Sequence, residues 1–132
     1  MRKVKVALIQ RCSAGSKEHN LAEITALARE AAAKCPDLDL IVFPEYNNFM
    51  PPSPQESYQY SETMDGLYIT TMKALAKELH CYIDVGSFCE RAGDKVKNTV
   101  VVIVVAVAVC VMVTVLDVVF GSVRDLIARL VS

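Results

Sequence analysis

The stretch Asp39-Leu40-Ile41-Val42-Phe43-Pro44-Glu45-Tyr46 decides how this chain folds. Four apolar residues between an Asp and a Pro read as a buried strand. Pro44 has no N–H to give to a sheet ladder, so the strand stops there. Glu45 is then delivered at the strand's C-terminal end, the edge of open α/β sheets where ligands sit. That placement makes Glu45 the candidate functional residue.

Upstream, Val4, Val6 and Leu8 alternate with Lys3, Lys5 and Ala7, and Ile9 follows, which is a strand pattern. Arg11 to Ser16 holds Ser, Gly and Cys and reads as a loop. From Lys17 to Lys34 the chain is rich in Ala, Glu and Arg, and Leu21, Ile24, Ala28 and Ala31 recur at helical spacing, with Leu27 beside them. Pro36 ends this helix. Strand, helix and strand in this order make a βαβ unit, which favours a parallel pair.

Downstream, Tyr46 to Asp65 carries Pro51, Pro52 and Pro54 with Tyr46, Tyr58 and Tyr60, and reads as irregular. A loop of this length in a compact domain is usually functional or mobile. Two readings stand: a substrate-shaping loop that starts right after Glu45, or a surface crossing whose tyrosines pack over the core. Gly66 to Leu79 reads as a second helix, with Leu67, Thr71, Leu75 and Leu79 on one face and Met72 and Ala76 beside them. His80 follows as a capping or surface residue, where cationic character suits the helix dipole. Tyr82 to Phe88 is another strand, in which Gly86 allows close approach of another backbone. Arg91 to Lys97 reads as a hairpin turn into a strand that starts near Lys97.

At 132 residues the chain holds enough for one core and not for two ordinary domains. Its 14 basic and 15 acidic residues give a net charge of -1, so it carries no electrostatic footprint for nucleic acid. Cys12, Cys35, Cys81, Cys89 and Cys110 include no CxxC pair and no Cys/His spacing suited to a metal. Their odd number and wide scatter fit free thiols in a reducing compartment. Met1 to Gln10 is too short an apolar segment for a signal peptide, and Lys5 interrupts it. The expected location is cytoplasmic.

The composition changes abruptly at its end. Twelve of the twenty residues from Val100 to Val119 are Val, and Asp117 carries the only charge among them. Val occupies every odd position from 105 to 115, a strand period with both faces apolar. The run has no turn residue and is about three times the usual strand length of roughly five to six residues. Read as a helix, Val100 to Leu116 would rise about 25 Å, slightly short of a bilayer's core of about 30 Å. Beyond it, Val119, Val123, Leu126, Ile127 and Leu130 fit one face of a terminal amphipathic helix, with Arg124, Asp125 and Arg129 off that face.

Five segments together resemble the N-terminal part of the nitrilase, or carbon–nitrogen hydrolase, superfamily. They are KVALIQ from Lys5, Asn20 leading into the Ala-rich helix, LDLIVFPEY from Leu38, ALAKELHCYIDVGSF from Ala74 and KVKNTVVVI from Lys95. The resemblance covers residues 1 to about 103 and sets residues 104–132 apart as an atypical Val-rich segment with its amphipathic helix. It implies an α/β fold, part of an α-β-β-α sandwich. It also implies metal-free and cofactor-free hydrolysis of small amides, nitriles or N-carbamoyl compounds by a Glu-Lys-Cys triad. An amide carbon is a weak electrophile, so the chemistry needs a thiolate-grade nucleophile, a base within reach and a fixed donor for the oxyanion. The resemblance puts Glu45 in the position of the general base.

The other two members of the triad are not found. No Lys or Arg lies between Lys97 and Arg124, where the family's Tyr-Arg-Lys-like segment belongs. Cys110 is followed by Val111 and Met112, with no acidic residue, Gly or turn to expose it, and a thiol inside an apolar strand is protonated and inert. The other four cysteines fall in segments that match other parts of the fold. The expectation is therefore an incomplete family member (truncated, frame-shifted or half of a split protein) that is inactive alone and would take a small amide substrate if completed. Two rivals remain: a non-catalytic module that pairs through its apolar C-terminal segment, and a membrane-anchored protein that uses Val100 to Leu116. A strand with two apolar faces invites edge pairing, so self-association is also expected.

Overall fold

The structure is a computed structural model and describes residues 2–103. The readings of the Val-rich run beyond Ile103, of Cys110 and of the terminal amphipathic helix lie outside the described residues. Four strands form one sheet in the order β1 (Val6–Leu8), β2 (Leu40–Val42), β3 (Tyr82–Ala92) and β4 (Lys95–Ile103). The first three are parallel, and β4 returns antiparallel to β3. Helix α1 (Lys17–Lys34) connects β1 to β2, the parallel βαβ unit expected from the spacing.

Helix α1 has the bounds its sequence signals. The Ser16 side chain accepts the His19 N–H as an N-cap, and the Cys35 N–H bonds to the Ala31 carbonyl just before Pro36. Glu18 sits in the positive first turn and Lys34 in the last turn, as the helix dipole favours. Helix α3 (Leu67–Leu79) buries Tyr68, Ile69, Met72, Leu75 and Ala76. Its buried stripe is therefore rotated from the expected one, and Leu67 is exposed at the N-terminus beside α1. Rotation brings the bulky Tyr68 ring inward, where it packs against Phe88 with ring centroids 5.8 Å apart.

The strand period decides which residues form the core. Ala7, Ile41, Ile83 and Ile103 stand in register across the sheet on the face that α1 and α3 cover. Ile24 and Ala28 of α1 join them, as do Phe43, Val85 and Phe88. The neighbouring register rows point to the other face, where Val6, Leu8, Tyr82 and Val102 are exposed. The described residues thus form one helix layer on one sheet, half of an α-β-β-α sandwich.

The stretch from Tyr46 to Asp65 is more ordered than its composition suggests. A 3-10 turn spans Pro54–Glu56 and a short helix, α2, spans Ser57–Tyr60. Pro54 sets the backbone angle for that start. Phe49 stacks on Tyr60 with centroids 4.6 Å apart, and the Arg91 guanidinium lies 4.8 Å from the Tyr58 ring centroid. Arg91 also donates to the carbonyls of Tyr58 and Ser61, which ties the crossing to β3. These tyrosines pack on the crossing itself and on Arg91, outside the main core.

Candidate active site

The parallel arrangement places the C-terminal ends of β1, β2 and the first half of β3 at one edge of the sheet. Arg11 follows β1, Glu45 follows β2, and Gly86 and Ser87 interrupt β3 at that level. His80 and Cys81 precede β3 and therefore lie at the opposite edge. His80 closes α3 in the left-handed conformation, with its N–H on the Ala76 carbonyl, so it is a cap, as its position in the sequence suggests.

Glu45 is exposed in a tight turn and forms no ion pair among the described residues. The backbone on either side of it is held firmly. The Phe43 N–H bonds to the Asp84 carbonyl at 3.0 Å, and the Tyr46 N–H bonds to the buried Ser87 hydroxyl at 3.0 Å. Tyr46 has a positive φ of 49°, a conformation that costs a non-glycine residue about 1–2 kcal/mol and turns the chain sharply after Glu45.

Between these anchors, β3 bulges. Its register with β4 shifts between Asp84 and Ser87, and Gly86 adopts a φ of +69° while its N–H bonds to the Asp84 carboxylate. A Cβ at Gly86 would sit 1.9 Å from the Pro44 carbonyl oxygen. The close backbone approach expected at Gly86 is therefore the approach of the segment that carries Glu45.

A second set of residues, which the sequence does not single out as a group, holds the loop beyond Glu45 from behind. The Arg11 side chain is only 3% exposed. It donates to the Asn47 carbonyl at 2.7 Å, to Asn47 Oδ1 at 3.1 Å, to Asn20 Oδ1 at 3.0 Å and to Glu23 at 2.6 Å. Asn20 passes the connection on to the Asn48 carbonyl. Asn47 donates to the Tyr68 hydroxyl, which in turn donates to the Val85 carbonyl. Glu62 accepts from Lys17 at 2.8 Å and from the Tyr68 N–H at 3.0 Å, so it caps α3 from outside, in place of the side chain that the N-cap Gly66 lacks. An Arg in a loop ordinarily reads as a solvated surface residue. Only the clustering of Asn20, Glu23 and Asn47 around it in space reveals its role.

Removing Arg11 strands buried acceptors. Arg11→Ala is expected to cost about 2–4 kcal/mol in urea unfolding. Arg29→Ala removes an exposed pair with Glu78 that links α1 to α3, and is expected to leave the midpoint nearly unchanged. A large loss in both variants would contradict this ranking.

Burial holds the Tyr68 hydroxyl well above the ordinary tyrosine range, offset in part by its hydrogen bond from Asn47. Because the folded value lies above the unfolded one, near 10, stability is flat below that pH and falls as pH rises beyond it. Unfolding measured between pH 9 and 11 is expected to show this fall, and Tyr68→Phe is expected to reduce its slope. An unchanged slope in the variant would remove Tyr68 as its cause.

Among the described cysteines, Cys12 is exposed just after Arg11, Cys35 is partly exposed, and Cys81 and Cys89 are buried. Cys12, Cys35, Cys81 and Cys89 are free thiols. Burial raises the pKa of Cys81 and Cys89, which disfavours the reactive thiolate. Among the described residues no group of three His, Cys, Asp or Glu side chains could hold a metal, and no helix is long and apolar enough to cross a membrane.

The fold has counterparts among known proteins. The carbon–nitrogen hydrolase family model matches residues 5–104, and the chain belongs to that family. No curated protein matches the chain in sequence. Among solved structures it resembles Saccharomyces cerevisiae Nit3, a member of branch 10 of the nitrilase superfamily, with TM-score 0.69 and 27% identity over 76% of this chain and 39% of that one. A Xanthomonas campestris CN-hydrolase superfamily protein with an arsenic adduct in its active site has TM-score 0.67 and 22% identity over 78% of this chain and 37% of that one. A Helicobacter pylori carbon–nitrogen hydrolase has TM-score 0.66 and 20% identity over 75% of this chain and 35% of that one. The latter two likenesses speak to the fold alone. This chain spans well under half the length of each of these neighbours.

Proposed function

We propose that this chain is the base-bearing portion of an amidase- or nitrilase-type hydrolase of small non-peptide C–N bonds, and that it does not turn over substrate by itself. Glu45 is the general base of that reaction. The observation that carries this reading is the turn itself: an exposed carboxylate, free of ion pairs among the described residues, at the C-terminal edge of a parallel sheet. The chain around it is fixed by the Phe43 N–H bond to the Asp84 carbonyl and the Tyr46 N–H bond to the Ser87 hydroxyl. A general base must reach its proton within about 3 Å, and a carboxylate on an anchored turn can be aimed to that tolerance.

The shallow depression lined by Tyr46, Met50, Pro51, Pro52, Ser53, Pro54 and Ser57, about 260 Å³ in volume, adjoins this turn and suits a small substrate's side group. The nucleophilic Cys and the oxyanion-stabilising Lys have no match in the sequence. That absence from the 132 residues underlies the proposed inactivity. The free thiols fit a reducing, cytoplasmic setting.

The experiment is a chimaera in which residues 1–103 are followed by the remaining two-thirds of an active superfamily enzyme. Amide hydrolysis that depends on Glu45 is the expected result. A chimaera that folds, hydrolyses the amide and keeps full activity as Glu45→Gln would overturn the assignment.

A further inference from the structure

Glu45 is the one exposed residue between Phe43 and Asn48, and three successive residues of β3 hold its neighbours. Gly86 lies against the Pro44 carbonyl, and the Ser87 hydroxyl accepts the Tyr46 N–H. Val85 is tied to Asn47 through the Tyr68 hydroxyl, which accepts from Asn47 Nδ2 and donates to the Val85 carbonyl. The first two contacts end at Tyr46, whose positive φ of 49° turns the chain. Asn47 is the first residue beyond that turn.

The Asn47 side chain is fully buried and engaged at both ends. Its Oδ1 accepts from Arg11 at 3.1 Å, and its Nδ2 donates to the Tyr68 hydroxyl at 3.1 Å. Arg11 also takes the Asn47 carbonyl at 2.7 Å, and is itself fixed by Asn20 and Glu23 of α1. One carboxamide therefore joins the end of β1, both long helices and the β3 bulge to the residue two places after Glu45.

Filling this space does not require an Asn. A carboxamide buried without partners costs about 1–3 kcal/mol, and an apolar side chain of similar size carries no such risk. What the carboxamide adds is direction. Two hydrogen bonds from opposite ends stop the side chain, and the backbone with it, from sliding. A general base needs that constraint, because a displacement of about 1 Å can cost on the order of 10²-fold in rate.

We propose that Asn47 is a positioning residue for Glu45. Clamped between Arg11 and Tyr68, it fixes the far side of the turn and so sets where the Glu45 carboxylate stands. Its consequence for catalysis rests on Glu45 being the general base, whereas the fixing of the turn does not.

NMR relaxation on the full 132-residue chain tests the fixing. The backbone order parameter at Glu45 is expected to be about 0.85 in the parent and below about 0.6 in Asn47→Leu, with Ala28 in the core unchanged. Asn47→Asp is the milder variant. It keeps the acceptors for Arg11 and removes the donor to Tyr68, and is expected to lower the Glu45 value in the same direction. A value near that of the parent in every variant that folds would overturn the proposal, as would a parent value already below about 0.6. In the active chimaera of residues 1–103, Asn47→Asp is expected to lower kcat by on the order of 10²-fold with KM unchanged. Loss of kcat in Glu45→Gln but not in Asn47→Asp would keep the base and remove the positioning role. Full activity in both would remove the base itself.

Discussion

Gly86→Ala is expected to lower stability by on the order of 3 kcal/mol or more, or to prevent folding altogether. Two costs act together at this position. The φ of +69° is strained for any residue with a Cβ, and that Cβ would meet the Pro44 carbonyl oxygen at 1.9 Å. Neither side can yield cheaply. Pro44 lies between the Phe43 N–H bond to Asp84 and the Tyr46 N–H bond to Ser87. Gly93 supplies the control, because it has a similar φ of +66° at the β3–β4 turn and nothing within 4 Å of its added Cβ. Gly93→Ala should therefore cost only the backbone term of about 1–2 kcal/mol. Urea unfolding of the two variants separates strain from collision. Equal midpoints would mean that the bulge is not pressed against the segment that carries Glu45.

The second large effect concerns chemistry. In an active chimaera of residues 1–103, Glu45→Gln is expected to lower kcat by about 10²–10⁴-fold, the usual worth of a positioned acid or base. Glu45→Asp keeps the charge but withdraws the carboxylate by one methylene, about 1 Å, and is expected to lose on the order of 10²-fold. A purely electrostatic role would leave the Asp variant close to the parent. An effect confined to KM would place Glu45 in substrate binding instead. Comparing kcat for the three side chains decides among these roles.

Much of this arrangement is legible in the sequence, because the decisive signals are local. The Ala-, Glu- and Arg-rich run with its helical spacing, ended by Pro36, locates α1 correctly. The apolar run stopped by Pro44 locates β2 and the turn at Glu45, and Gly86 within a strand signals a close contact. What that contact is cannot be read from neighbours in the chain, since the Pro44 carbonyl reaches Gly86 only through the pairing of β2 with β3. Arg11 is hidden for the same reason. Its ligands Asn20 and Asn47 come from a helix and a loop that the fold brings together. Helix α3 misleads for another reason. Leu67, Thr71, Leu75 and Leu79 make a regular stripe, but the helix turns to bury Tyr68, whose hydroxyl finds Asn47 and the Val85 carbonyl. Order between Tyr46 and Asp65 comes from the Phe49–Tyr60 stack and from Arg91, contacts that composition does not encode.

We propose that Glu45 is a well-presented base that stands in this chain without the two groups it needs. Its most direct test is hydrolysis by the purified 132-residue protein across small ω-amides, nitriles and N-carbamoyl amines, compared with its Glu45→Gln variant. Both proteins are expected to be indistinguishable from the uncatalysed background. Turnover by the parent chain that disappears in Glu45→Gln would contradict it.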